Sequence, residues 1–285
     1  MDVVNLALRL TLLDLLLRPI GDWFFRPAIL GLATLGVVLP GQLRRPCLWI
    51  VLAILTMLRV VLGWPMADNH AYLLSYWCLA VALALSSRDP RACLALNARL
   101  LVGLAFACAT LWKVVLSPDY LDGRFFRVLL LTDRRFESFT QIVGGVTPEL
   151  LDSLRAFVTQ HVDGQFFAGP DAPQEPARFL WLTYGMTWWT ILLEGATAVT
   201  FLWPFGRGMA QWRNAVLLLF CATTYAVAPV EGFGWLLIAM GVAQCDPTWR
   251  KTLLLYLVAF LLILFYRDAW ITQLLEFSWH GEVRR

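Results

Sequence analysis

The sequence predicts an all-α fold: a polytopic membrane bundle of about eight or nine transmembrane helices with one long exterior loop. Three observations carry this. The 285 residues are 59% hydrophobic and only 15% charged, with a mean hydropathy of +0.66, whereas soluble domains carry about 25% charged residues. The apolar residues gather in runs close to the roughly 20 needed to cross hydrocarbon. The basic residues gather between those runs, at alternate connections.

The same arithmetic excludes other classes. A soluble globular enzyme does not fit this charge deficit, and disorder does not fit the apolar content. Six cysteines in 285 residues are too sparse for a disulfide scaffold. The arginines form no patch or motif, so nucleic acid is not an expected partner. The six cysteines lie in or beside apolar runs without CxxC spacing, and neither a structural disulfide nor zinc is expected.

In chain order, the expected spans are 27–41, 46–63, 70–87, 95–116, 179–203, 213–229, 232–245 and 252–267. Segment 3–17 is a ninth helix, either spanning or interfacial. It carries Arg9 and Asp14 and no small-residue cleavage site, so a removable signal peptide is not expected. The pairs Arg44–Arg45, Arg88 and Arg91, Arg207 and Arg213, and Arg250–Lys251 all fall on one side of this map. Connections 64–69 and 229–231 lack Lys and Arg and fall on the other. The positive-inside rule places the four clusters in the cytoplasm of a bacterial inner or plasma membrane. Arg18 and Arg26 lie on the wrong side. The chain reads as one domain, 1–285, with 117–178 as an exterior loop. Within that loop, Thr147 N-caps an amphipathic stretch from Pro148 to Val162. A Gly/Pro-rich run from Gly164 to Pro176 follows. The loop is either a surface cap or a lid over an exterior pocket.

Charges inside spans are costly and mark candidate sites. Arg59, His70, Lys113 and Glu231 share an exterior depth, with Asp68 and Asn69 beside them. Arg99 and Glu194 lie in the cytoplasmic half, where an ion pair between them is expected. Lys113 is notable because the chain has only two lysines, Lys113 and Lys251. A lysine in a low-dielectric site loses its proton more readily, and a histidine titrates near neutrality. Together they have the chemistry to deprotonate a weak acid such as a quinol. No Ser-His-Asp set, phosphate loop or haem motif is present.

These residues carry a family resemblance. The run Asp68-Asn69-His70-Ala71-Tyr72-Leu73-Leu74 resembles the Asn-His-x-Tyr-Leu motif of the vitamin K-dependent gamma-carboxylase membrane domain, within the horizontally transferred transmembrane (HTTM) family. Leu17-Arg18-Pro19-Ile20-Gly21-Asp22-Trp23 is similar to the family's Leu-Arg-Pro to Asp-Trp lead-in. Lys113 to Gly123, ending Asp119-Tyr120-Leu121-Asp122-Gly123, resembles its Lys-Leu…Asp-Trp-x-Glu-Gly segment. Glu194 falls where the family often has an acidic residue, and the turn before Phe233-Gly234-Trp235 fits its penultimate hairpin. The resemblance spans about residues 15–265.

The resemblance implies catalytic roles for Lys113, as base, and His70. It implies cofactor contacts from Asn69, His70, Tyr72, Arg59 and Glu231 to a vitamin K-like quinol, with an exterior peptide or protein substrate. The chain ends near Arg285 without the carboxylase's large exterior domain, so a membrane-domain-only member is expected rather than a full gamma-carboxylase. Lys113 also lies two residues farther from the following aromatic than the carboxylase lysine does. On an α-helix that is about 200° of rotation, which only a bulge would absorb. Two other functions stay open: a non-catalytic membrane factor for maturation, export or immunity of a partner protein, and a transporter. The absence of internal repeats and of paired Gly/Pro-interrupted helices disfavours the transporter.

Overall fold

A computed structural model of the chain describes residues 2–18, 20–21, 23–160, 173–204, 208–227 and 231–267. Every regular element among the described residues is helical. The order is α1 Val3–Leu17, α2 Phe25–Val38, α3 Pro40–Leu43, α4 Pro46–Leu62, α5 Asn69–Leu85 and α6 Pro90–Leu111. A π-helical turn, Trp112–Leu116, continues α6. Then come α7 Pro118–Leu121, α8 Arg124–Thr132, a 3-10 turn at Arg134–Phe136, α9 Glu137–Ile142 and α10 Pro148–Gln160. The last four are α11 Ala177–Leu202, α12 Gly208–Tyr225, α13 Glu231–Gln244 and α14 Arg250–Arg267.

A helix therefore stands at each place where the sequence predicts one. Among the described residues one helical run, Pro90–Leu116, is long and apolar enough to cross a membrane by length and composition. Phe25–Val38, Pro46–Leu62, Asn69–Leu85 and Gly232–Gln244 are apolar but shorter. The chain divides into two compact units, Met1–Ala105 with Thr197–Arg285, and Phe106–Ala196.

In the first unit, α13 is the axial helix. From Trp235 to Ala243 every side chain is buried. Its glycines permit close approach. A Cβ on Gly241 would sit 2.6 Å from Tyr256 Cε1 and 2.9 Å from Leu217 Cδ2, and one on Gly234 would sit 2.7 Å from the Tyr225 ring. Tyr256 is fully buried and its hydroxyl donates to Asn214 Oδ1 at 2.8 Å, so its ring cannot retreat. Gly241→Ala will therefore destabilise the protein by about 1–3 kcal/mol, the usual cost of overpacking. Thermal unfolding in detergent will read this.

α1 packs against α13 and α2 and is buried nearly all round, with Val4, Leu8, Leu12 and Leu15 in the core. α1 is thus an inner helix of this unit. Buried tryptophans tie the unit together because each indole N–H finds an acceptor. Trp77 donates to Thr11 Oγ1 at 2.9 Å and Trp235 to the Phe260 carbonyl at 3.1 Å. Outward faces are apolar instead. Ile54, Leu58 and Leu62 of α4, Leu96, Leu100 and Leu104 of α6, and Leu254, Val258 and Leu262 of α14 are exposed at helical spacing.

In the second unit, residues 117–160 form a folded cap of short helices rather than an open loop. Gly123, at φ +80°, makes the turn between α7 and α8. Thr147 caps α10 as expected, accepting from the Leu150 N–H at 3.3 Å. The expected end of that helix at Val162 and most of the Gly/Pro-rich run lie outside the described residues. The N-terminal half of α11 belongs to this cap. Tyr120 and Phe126 pack with Ile191 and Met186, and Arg178 Nη2 donates to the Ile142 carbonyl at 3.2 Å.

Candidate functional site

The second unit holds a buried ion pair. Lys113 Nζ lies 2.5 Å from both Oε1 and Oε2 of Glu194. The two side chains are 14% and 8% exposed, which removes most solvent screening. Nζ also stands 5.2 Å from the Tyr120 ring centroid, within cation–π range. The Tyr120 phenol shares a hydrogen bond with Thr190. Burial first, then the Glu194 charge, hold that phenol above its usual pKa, so it stays protonated.

Two expectations change here. Glu194 was expected to pair with Arg99 in the cytoplasmic half; Lys113 takes it instead. The reason is the register of α11. Residues 178–191 pack on the cap, so about 26 Å of helix precedes Glu194 and brings it level with the end of α6. The second change concerns the rotation of Lys113. The turn Trp112–Leu116 is π-helical, which absorbs a residue that an α-turn has no room for. Lys113 so reaches Tyr120 and Glu194 from the same turn.

A further feature escaped the sequence reading. Thr183, Thr187, Thr190, Glu194 and Thr197 recur at i, i+4, i+7, i+11 and i+14 on α11 and form one polar face. Thr183, Thr187, Glu194 and Thr197 are buried. Among the described residues the Thr187 and Thr110 hydroxyls have no hydrogen-bond partner. The 3.6-residue period of that face was the available signal.

The first unit holds the other predicted residues. His70 Nε2 lies 3.7 Å from Asp68 Oδ2, and its ring centroid lies 6.0 Å from that of Phe233. Arg18 and Arg59 are close enough to act on His70 electrostatically. Arg59 and Asp68 line a cavity of about 290 Å³ together with Phe25, Met66 and Ala71. Asn69 is exposed at the start of α5, and Tyr72 is half-buried one turn on. The Glu231 side chain, Pro19 and Asp22 lie outside the described residues. Arg59, Asp68 and His70 are thus brought together, while Lys113 takes its partners within the second unit.

Asp14 and Arg18 join this centre. Asp14 is fully buried, and Arg18 Nε lies 3.4 Å from its Oδ1. The Arg18 guanidinium crosses Gly232 so closely that a Cβ there would lie 1.9 Å from Cζ. Arg18 thus pairs with a partner on its own helix, one turn away.

The cap carries its own pair. Arg127 Nη2 lies 2.6 Å from Glu175 Oε2, and the Glu175 side chain is 5% exposed. Burial outweighs the arginine and holds the Glu175 carboxyl above its usual range. The folded state therefore binds the proton more tightly than the unfolded chain. Its contribution to stability is complete below the unfolded pKa, about 4.3, and is lost as pH rises through the folded value. Thermal unfolding between mildly acidic and neutral pH will show stability falling as pH rises, and Glu175→Gln will flatten that slope.

No family model, curated protein or solved structure matches this chain.

Proposed function

We propose that the chain is a multi-pass membrane protein of the HTTM type, and that Lys113 and Glu194 carry out quinol-linked proton abstraction on the exterior side. The carrying observation is the buried Lys113–Glu194 pair beneath the folded cap. The exposed apolar stripes on α4, α6 and α14 support the membrane reading, because soluble monomers rarely expose contiguous apolar patches above a few hundred Å². The chemistry balances as follows. A quinol O–H gives its proton to the Glu194 carboxylate, and the neutral pair becomes a cation. The quinolate left behind is stabilised by the Lys113 ammonium. The resemblance assigns quinone contacts to Asn69, His70, Tyr72, Arg59 and Glu231, with an exterior peptide or protein as substrate.

The test is quinol oxidation by the full chain in lipid nanodiscs supplied with a reduced naphthoquinone and oxygen. Lys113→Ala and Glu194→Gln are expected to lower the rate by about 10²–10⁴-fold, the usual share of general acid–base catalysis. His70→Ala will show whether the first unit's centre is used. A wild type that oxidises no quinol, or variants that match it, removes the enzymatic reading. Retention in membranes after alkaline carbonate washing tests the multi-pass reading separately.

A second reading is favoured by the cap. Ile142 is 72% exposed at the end of α9, with Val143 beside it. An apolar tip of this kind suits a non-catalytic membrane factor that assists the maturation, export or immunity of a partner protein. Under that reading Ile142→Asp abolishes function in cells while Lys113→Ala leaves it intact.

A further inference from the structure

The first unit contains a second, larger cavity of about 640 Å³ between α12 and the start of α14. Its walls divide by chemistry. Arg250, Lys251 and Thr252 stand at one end with Gln211, while Leu218 and Leu255 line the other. Asn214 also lines it and is 4% exposed. Its amide is held rigidly. Oδ1 accepts from Gln244 Nε2 at 2.7 Å and from the Tyr256 hydroxyl at 2.8 Å, while Nδ2 donates to the Ala210 carbonyl at 2.8 Å. The cavity is therefore built on a fixed polar network.

The two cations have no carboxylate partner among the described residues. The neighbouring acid, Asp246, is engaged in its own turn, where Oδ1 accepts from Thr248 N at 2.9 Å and Thr248 Oγ1 at 2.7 Å. Lys251 is one of the chain's two lysines. An ammonium is a compact point charge with rotatable donors, suited to a phosphate oxygen. From Lys251 the exposed residues Leu254, Leu255, Val258, Leu261 and Leu262 continue along one side of α14. From Lys251 to Leu262 the helix rises about 16 Å, close to half of a hydrocarbon core of roughly 30 Å. A cationic end, a polar floor and an apolar track one leaflet long match a diacyl phospholipid with an anionic headgroup.

We propose that this cavity binds the phosphate headgroup of an anionic phospholipid of the cytoplasmic leaflet, with its acyl chains along α14. The proposal rests on the multi-pass reading above, which carbonate washing tests independently. Arg250 and Lys251 hold the phosphate, Thr252 offers a hydroxyl donor, and Leu218 and Leu255 receive the first acyl carbons.

Native mass spectrometry of the full chain in detergent, titrated with dioleoylphosphatidylglycerol or dioleoylphosphatidylcholine, tests this. Wild type is expected to bind the phosphatidylglycerol at least tenfold more tightly. Arg250→Gln/Lys251→Gln is expected to lose about 25-fold, each cation near a membrane surface contributing roughly fivefold. Arg44→Gln/Arg45→Gln, on another basic loop, is expected to keep the preference. Equal binding of the two lipids, or a preference that survives the Arg250/Lys251 change, overturns the proposal. So does an equal loss in the Arg44/Arg45 variant, which indicates diffuse surface charge. Displacement by millimolar inorganic phosphate alone overturns the lipid assignment in favour of a free-phosphate site. Leu218→Trp, which narrows the apolar end, is expected to weaken binding with both cations in place; unchanged binding counts against the acyl track.

Discussion

Glu194→Leu will lower folding stability by about 3–5 kcal/mol, because it leaves the Lys113 ammonium buried without its counter-charge. The side chains are 14% and 8% exposed, and Nζ reaches both carboxylate oxygens at 2.5 Å, so water supplies little compensation. Lys113→Met/Glu194→Leu, which removes both charges, will recover most of that loss, since an apolar pair of similar volume avoids the desolvation cost. Reversible unfolding in mixed micelles measures both, and the difference between single and double variants reports the coupling. Quinol oxidation separates structure from chemistry. A double variant that is stable but inactive supports the proton-transfer role. A double variant that is stable and fully active reduces the pair to a structural clasp and removes the proposed function.

The helices were legible because hydropathy and helix-end signals act locally. Thr147 before Pro148 caps α10 as its chemistry requires, and apolar runs become helices at every expected place. Depth was less legible. Hydropathy assigns 179–203 to one span, yet its first half carries Trp181, Tyr184 and Trp188, aromatics that serve equally against a bilayer interface or a folded cap. The contacts of Tyr120 and Phe126 with Ile191 and Met186 set that half against the cap, and Glu194 meets Lys113 rather than Arg99. The Asp14–Arg18 pair was readable in principle, being one helical turn apart. Close approaches such as Gly241 against Tyr256 were not, because they depend on which helices meet. The π-turn lies between these cases: the spacing of Lys113 and Tyr120 posed the need for a bulge, and the structure places one there.

That turn leads to the other large effect. Deleting Val115 shortens the path from Lys113 to Tyr120 by one residue, which re-phases the two by about 100° on a helix. The i→i+5 ladder at Trp112–Leu116 closes to the ordinary α pattern. Val115 is 62% exposed, so the deletion opens no cavity in the core. The cap retains its own packing, including Phe136, Leu151 and Leu154. Lys113 can then follow the register of α6 or that of the cap, but not both, and its shared position between Glu194 and Tyr120 is lost. The expected result is a variant that reaches the membrane and resists proteolysis of the cap, yet oxidises quinol no faster than Lys113→Ala. Its folding stability should also fall, though by less than for Glu194→Leu, because a rotated lysine has exposed neighbours toward which its ammonium can extend. A Val115 deletion with wild-type rate and stability shows that the π-turn does not set the position of Lys113. A conservative Val115→Ile change, which keeps the residue count, should leave both quantities at wild-type values. The contrast between the two variants isolates helical register from side-chain chemistry.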